Sequence, residues 1–177
     1  MFKIKDLMKT GNLAVIAMLI AANVVLSRFL SFNVWNLKIG FTFVTVVFAA
    51  YLLGPVAAAL VGGLGDLIGA LAFPIGPYFP GFTLTAVLTG ICFGVFLYKK
   101  TSFAKICSCV AINELVGSAL LNTLWIAVLY GSDFKAVLMS RLPTQILPMM
   151  VVEIVLIQLV FGKSMAADRI AAAIKSR

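Results

Sequence analysis

The chain has 177 residues, 63% of them hydrophobic, with 14 Lys and Arg against 6 Asp and Glu, no histidine and a formal net charge of +8. So many cations would suit nucleic acid if they shared one polar face. They lie instead in the gaps between long apolar runs, which excludes a basic soluble domain and describes a multi-pass membrane protein. Most residues fall inside those runs and the gaps are too short for a soluble domain, so residues 1–177 read as a single membrane domain with the lipid bilayer as its surroundings.

A crossing takes about 20 apolar residues to cover a hydrocarbon core of roughly 30 Å. In chain order the sequence divides into six: 12 to 31, 40 to 53, 55 to 72, 82 to 98, 104 to 130 and 141 to 161. The runs are continuous and do not alternate every second residue, so they predict helices and not a barrel. The first follows a basic leader, but Ser27-Arg28-Phe29 offers no small-x-small cleavage site, and it reads as a retained helix. The second is short and has to tilt little or shelter behind its neighbours. Gly54-Pro55 marks a tight turn between the second and third.

Ten of the fourteen cations (Lys3, Lys5, Lys9, Lys99, Lys100, Lys105, Lys163, Arg169, Lys175 and Arg177) occupy alternate gaps and the two ends. Cytoplasmic loops accumulate Lys and Arg, so this bias predicts both termini inside and an even number of spans. The expected architecture is therefore an all-α, six-helix bundle. Residues 163 to 177 read as a short basic segment lying on the inner leaflet.

The segments expected outside are 32 to 39, 73 to 81 and 131 to 140. The first two are aromatic, with Phe29, Phe32 and Trp35 around one and Pro74-Ile75-Gly76-Pro77-Tyr78-Phe79-Pro80-Gly81-Phe82 forming the other. Prolines remove backbone donors and fix φ, so this second segment predicts a stiff, shaped loop. Two readings are open: an interfacial aromatic belt, or a lid whose rings stack on a flat ligand.

A charge in mid-bilayer is costly, about 2.5–3.5 kcal/mol on insertion scales, so Asp66, Glu114 and Glu153 need a reason to lie within spans. Glu114, Ser118, Asn122 and Trp125 form one polar stripe, and Arg141, Gln145, Met149 and Glu153 form another. Facing stripes describe a site for a polar small molecule, with Asn122, Trp125, Arg141 and Gln145 as contacts. For Glu153 the reading is an interhelical hydrogen bond that fastens helices together. Asp66, between Gly65 and Gly69, reads equally as a buried structural acceptor or a ligand contact, and Gly90 and Gly94 read as packing positions.

Other chemistries find no support. Cys92, Cys107 and Cys109 have no histidine to complete a metal set and read as small buried hydrophobes. Phe161-Gly162-Lys163-Ser164 echoes a phosphate loop, but Ile157 occupies the required first glycine position. No cofactor is expected, and any ATP is hydrolysed by another chain. Glu114 and Glu153 as an acid/base pair would be the enzymatic reading, but no nucleophile stands beside a base.

Ala17 through Phe29, Leu37-Lys38-Ile39-Gly40-Phe41, Gly62 through Ala70 and Phe73 through Leu84 together resemble the folate-specific substrate-binding (S) component of energy-coupling factor transporters. The likeness covers most of the first 90 residues in order; from Lys99 onward it is one of layout. It implies a six-helix protein with cytoplasmic termini that captures folate outside and delivers it inward with a transmembrane coupling subunit and two ATPase subunits. It also implies docking of the coupling subunit on an Ala-x-x-x-Ala motif, matched here by Ala17 and Ala21. On this reading Phe32, Trp35, Pro77, Tyr78, Phe79 and Trp125 surround the ligand rings. Arg28, Lys38 and Arg141 meet its carboxylates, and Asp66, Glu114, Asn122 and Gln145 read its polar edge. Arg28 lies on nearly the same helical face as Ala21, which leaves snorkelling to the interface as its other role. A component for riboflavin or thiamine is the alternative within the same scaffold.

Overall fold

In the computed structural model, which describes residues 9–34, 37–99 and 101–161, the first apolar run forms helix α1 (Thr10–Arg28). Helix α2 (Thr42–Leu53) is twelve residues long, and α3 (Pro55–Ala72) follows with Pro55 in its first turn. Between them Gly54 has φ 91°, a backbone state open to glycine because it has no Cβ. Helix α4 (Pro80–Leu97) again begins on a proline, where a missing N–H leaves no intrahelical bond unmade.

The last two apolar runs are long rods with a widened stretch in each. Helix α5 (Phe103–Ile112) passes into π turns over Asn113–Asn122 and resumes as α6 (Thr123–Tyr130). Helix α7 (Phe134–Arg141) is capped by the Asp133 carboxylate, which accepts from the Ala136 N–H at 3.0 Å. It passes into π turns over Leu142–Ile146 and continues as α8 (Leu147–Phe161). Pro143 has no N–H to give the i−4 carbonyl, which favours a changed register there.

The expectation of an apolar helical bundle holds, with two local changes. Residues expected as the first connecting loop form a short antiparallel hairpin, β1 (Phe32–Val34) against β2 (Leu37–Ile39). The final rod begins at Phe134 instead of 141, so most of the third expected loop is helical. Among the described residues, five helical stretches are long and apolar enough to cross a bilayer, and α2 is a shorter apolar helix. The leader 1–8, Trp35, Lys100 and the basic segment from 163 lie outside the described residues.

The outer surface is apolar, unlike that of a soluble protein. Met18, Leu64, Val95, Leu120, Val128, Val151 and Leu159 are all exposed, an apolar perimeter that lipid and not water would solvate. Inside, α3 and α4 approach backbone to backbone: a Cβ on Gly90 would collide with the Ala58 carbonyl oxygen, and one on Gly94 with Pro55 Cα. Phe93, Leu97, Ile106, Val110 and Ile157 fill the basal half, and Phe161 closes that end against Phe48 and Tyr51. Cys109 is buried, as expected, and Cys92 is half-buried with its sulfur 3.7 Å away. Dense apolar packing at the basal end leaves the open space at the hairpin end.

Candidate ligand-binding site

A cavity of about 460 Å³ lies in that half, within the range that accommodates a drug-sized ligand. The 73–79 segment lies beside its mouth, with Pro77, Tyr78 and Phe79 on the cavity wall. Thr83 gives its one hydroxyl proton to Asp66 Oδ2 at 2.8 Å, so the 3.2 Å contact between Tyr78 and Thr83 has Tyr78 as donor. The relay Tyr78 to Thr83 to Asp66 ties the loop to α3. Phe79 also packs at a tilt against Trp125, with ring centroids 5.6 Å apart.

Arg28 is the last residue of α1, and its long side chain turns inward. Its Nη2 is 4.0 Å from Asp66 Oδ1, and its Nε is buried with no hydrogen-bond partner among the described residues. Gly69 makes the space: a Cβ there would stand 2.7 Å from Arg28 Nε. The interfacial snorkelling role is thus excluded, because the guanidinium enters the bundle while Ala17 and Ala21 on the same helix stay exposed.

The floor belongs to the two rods. Glu114, 8% exposed, comes from the first π segment, and Glu153, 6% exposed, from α8. Glu114 Oε2, Glu153 Oε2 and, higher on the wall, Asn122 Oδ1 are buried without a partner among the described residues. Burying acceptors unsatisfied costs about 1–3 kcal/mol each, more when charged. Glu153, read from sequence as a fastening between helices, therefore faces the cavity with an unused oxygen.

Arg141 is 2% exposed and already well occupied. Its Nε and Nη2 donate to Gln145 Oε1 at 3.2 and 3.1 Å, and Nη1 donates to Thr123 Oγ1 at 3.0 Å and to the Ser118 carbonyl at 3.4 Å. Arg141 and Gln145 both border the cavity. The guanidinium expected to meet a ligand carboxylate thus already has these protein oxygens as partners. Trp125 donates its Nε1–H to Thr85 Oγ1 at 3.0 Å, and its ring lies against Gly81 and Phe79, outside the residues that line the cavity. The side chains of Phe32 and Lys38 and the whole of Trp35 lie outside the described residues.

Sequence reasoning passed over Asn23, Asn113 and Tyr130, all on the cavity wall. Asn23 donates to Thr45 Oγ1 at 2.8 Å and to the Thr42 carbonyl at 3.3 Å, fastening α1 to α2. An amide in the middle of an apolar run is the same signal that singled out Asp66.

The family model for the ECF transporter substrate-specific component matches residues 11–161. The folate transporter FolT of Clostridium novyi is 36% identical over 137 residues, covering 76% of this chain and 80% of that protein. FolT of Leuconostoc mesenteroides subsp. mesenteroides is 32% identical over 123 residues, covering 68% and 66%. A crystal structure of FolT bound with folic acid superimposes with a TM-score of 0.81 at 30% identity, covering 89% of this chain and 95% of that one.

Proposed function

The chain belongs to the substrate-specific component family of ECF transporters, and from that premise we propose that it captures folate in the cavity for inward transport. It is a transport component and not an enzyme. The observation that carries the ligand assignment is the split polarity of the cavity: unpartnered oxygens of Glu114, Glu153 and Asn122 at the floor and wall, and an unpartnered guanidinium nitrogen of Arg28 near the mouth. A ligand that satisfies both ends carries N–H donors at one end and negative charge at the other. Folate does so, with an amino-substituted pterin ring and a dianionic glutamate tail, and its flat rings fit beside Tyr78 and Phe79. The names of the relatives, and the folic acid in the similar structure, support the same choice. Riboflavin and thiamine lack the paired tail carboxylates that Arg28 would meet.

In this reading all six helical stretches cross the membrane, both termini are cytoplasmic and the hairpin end opens outside. Helix α2 makes its crossing sheltered: Val47, Ala49 and Ala50 are fully buried, so protein and not lipid surrounds it. The exposed Ala17 and Ala21 leave a low strip on α1 for the coupling subunit, to which two ATPase subunits attach. Uptake of labelled folic acid by cells expressing this chain with those partners tests the function. Replacing Ala17 and Ala21 together by Trp is expected to abolish uptake while the purified chain binds folic acid as before. Loss of both would contradict docking on this face, and absence of uptake in the unaltered assembly would contradict the function.

A further inference from the structure

We infer that Thr83, which stands outside the residues lining the cavity, is a positioning residue for ligand capture: it holds the Asp66 carboxylate away from Arg28 and so keeps the guanidinium available to the anionic tail of the ligand. The inference rests on the folate reading above and concerns what prevents the cation at the mouth from being neutralised by its own neighbour.

Arg28 and Asp66 are a pair that ought to close. Opposite charges in a partly desolvated site attract more strongly than in water, and a charge-assisted N–H···O bond settles at about 2.7–2.9 Å. The two side chains are only 11% and 20% exposed, yet Arg28 Nη2 stands 4.0 Å from Asp66 Oδ1. The same nitrogen donates to the Asp66 backbone carbonyl at 3.5 Å, which is long for a hydrogen bond. Arg28 Nε has no partner among the described residues. A group on the far side of the carboxylate therefore holds it back.

Thr83 is that group. It lies half-buried in the first turn of α4 and gives its hydroxyl proton to Asp66 Oδ2 at 2.8 Å. A hydroxyl has one proton to give, so Tyr78 is the donor in its 3.2 Å contact with Thr83 and does not compete for that proton. Helices α3 and α4 cannot slide to relieve the bond, because they meet backbone to backbone at Gly90 and Gly94. The plane of the Asp66 carboxylate is thus set from α4, and Arg28, entering from α1 over Gly69, meets Oδ1 at a distance too long to bond. Removing the hydroxyl would leave Oδ2 without its donor, and the carboxylate would turn to the guanidinium fork that matches it. A ligand carboxylate would then have to displace Asp66 from Arg28 before it could bind.

The test measures dissociation constants of folic acid and of its dimethyl ester, in which both tail carboxylates are uncharged, for the purified full chain and its variants. The ester-to-acid ratio reads the part of the affinity that depends on tail charge, and the unaltered protein is expected to prefer the acid. Thr83→Val keeps the shape of the side chain without its hydroxyl and should shrink that ratio by roughly tenfold, whereas Thr83→Ser should retain it. Tyr78→Phe removes only the loop end of the relay and should spare most of the ratio. In an Asp66→Asn background no carboxylate remains to capture Arg28, so Thr83→Val should change the ratio by less than about twofold; a merely structural role for Thr83 would carry over undiminished. Should Thr83→Val fail to fold, Thr83→Ala carries the same prediction. A ratio unaltered by loss of the hydroxyl, or reduced equally with and without the Asp66 charge, would overturn the inference. Equal affinity of the unaltered chain for acid and ester would overturn it too, in an arm that depends on no variant and leaves folate capture standing. Absence of saturable folic acid binding by the unaltered chain would overturn the functional reading and this inference with it.

Discussion

Arg28→Ala is expected to weaken folic acid binding by at least about 30-fold, since truncating one partner of a buried, hydrogen-bonded charge pair typically costs 2–5 kcal/mol. The guanidinium turns into the bundle over Gly69 with its Nε unused, and its distance of 4.0 Å from Asp66 is long for a charge-assisted bond. Asp66 is meanwhile satisfied by Thr83 at 2.8 Å, so the cation is held near the mouth without being neutralised at close range. That is the arrangement a carboxylate-bearing ligand needs. Arg28→Lys should fall between, because a single ammonium replaces a planar fork without matching two carboxylate oxygens. Isothermal titration of the purified variants reads both effects. A pterin without the glutamate tail should bind wild type and Arg28→Ala with equal affinity. A loss of similar size for the tailless compound would place Arg28 at the ring instead.

Glu114→Leu and Glu153→Leu should each raise thermal stability while lowering folic acid affinity. The two readings of these carboxylates differ in sign here. If they fasten helices together, removing one breaks a hydrogen bond and the protein melts earlier. In the structure each keeps a buried oxygen without a partner, so an apolar side chain of similar size relieves a desolvation penalty. Replacing buried charged groups by well-packed hydrophobes is often neutral or stabilising by about 1–4 kcal/mol. Losing a charge-assisted bond to the ligand should cost about 1.5–3 kcal/mol, or roughly 10- to 150-fold in affinity. Melting curves in detergent with and without folic acid measure both quantities on one sample. A fall in melting temperature with affinity preserved would return both residues to a structural role.

Much of this site was legible because polarity is expensive inside a membrane. Asp66, Glu114, Asn122, Arg141, Gln145 and Glu153 stood out as polar positions in apolar runs, and all six border the cavity. The loop from Pro74 to Phe82 was legible for a different reason, since prolines restrict the backbone whatever surrounds them. What sequence could not supply was direction. Arg28 shares a helical face with Ala21, yet a long side chain over a glycine reaches inward where an alanine cannot. Trp125 lies on the same stripe as Asn122 but ends against Gly81, where the space that would point it elsewhere is filled by Phe79. For Arg141 the sequence did not announce its protein partners, because the Ser118 carbonyl and Thr123 hydroxyl that it meets come from another helix. The π turns left no mark in the residues beyond Pro143, and the hairpin at 32–39 is a backbone pairing that an aromatic, loop-like composition did not announce.

The measurement closest to the central claim is an equilibrium titration of the purified chain, without any partner subunit, against folic acid, riboflavin and thiamine. A cavity with an acceptor-rich floor and a guanidinium near its mouth predicts saturable one-to-one binding of folic acid at submicromolar concentration, with the other two vitamins failing to compete. Saturation by riboflavin or thiamine, or no saturable binding of folic acid, would contradict it.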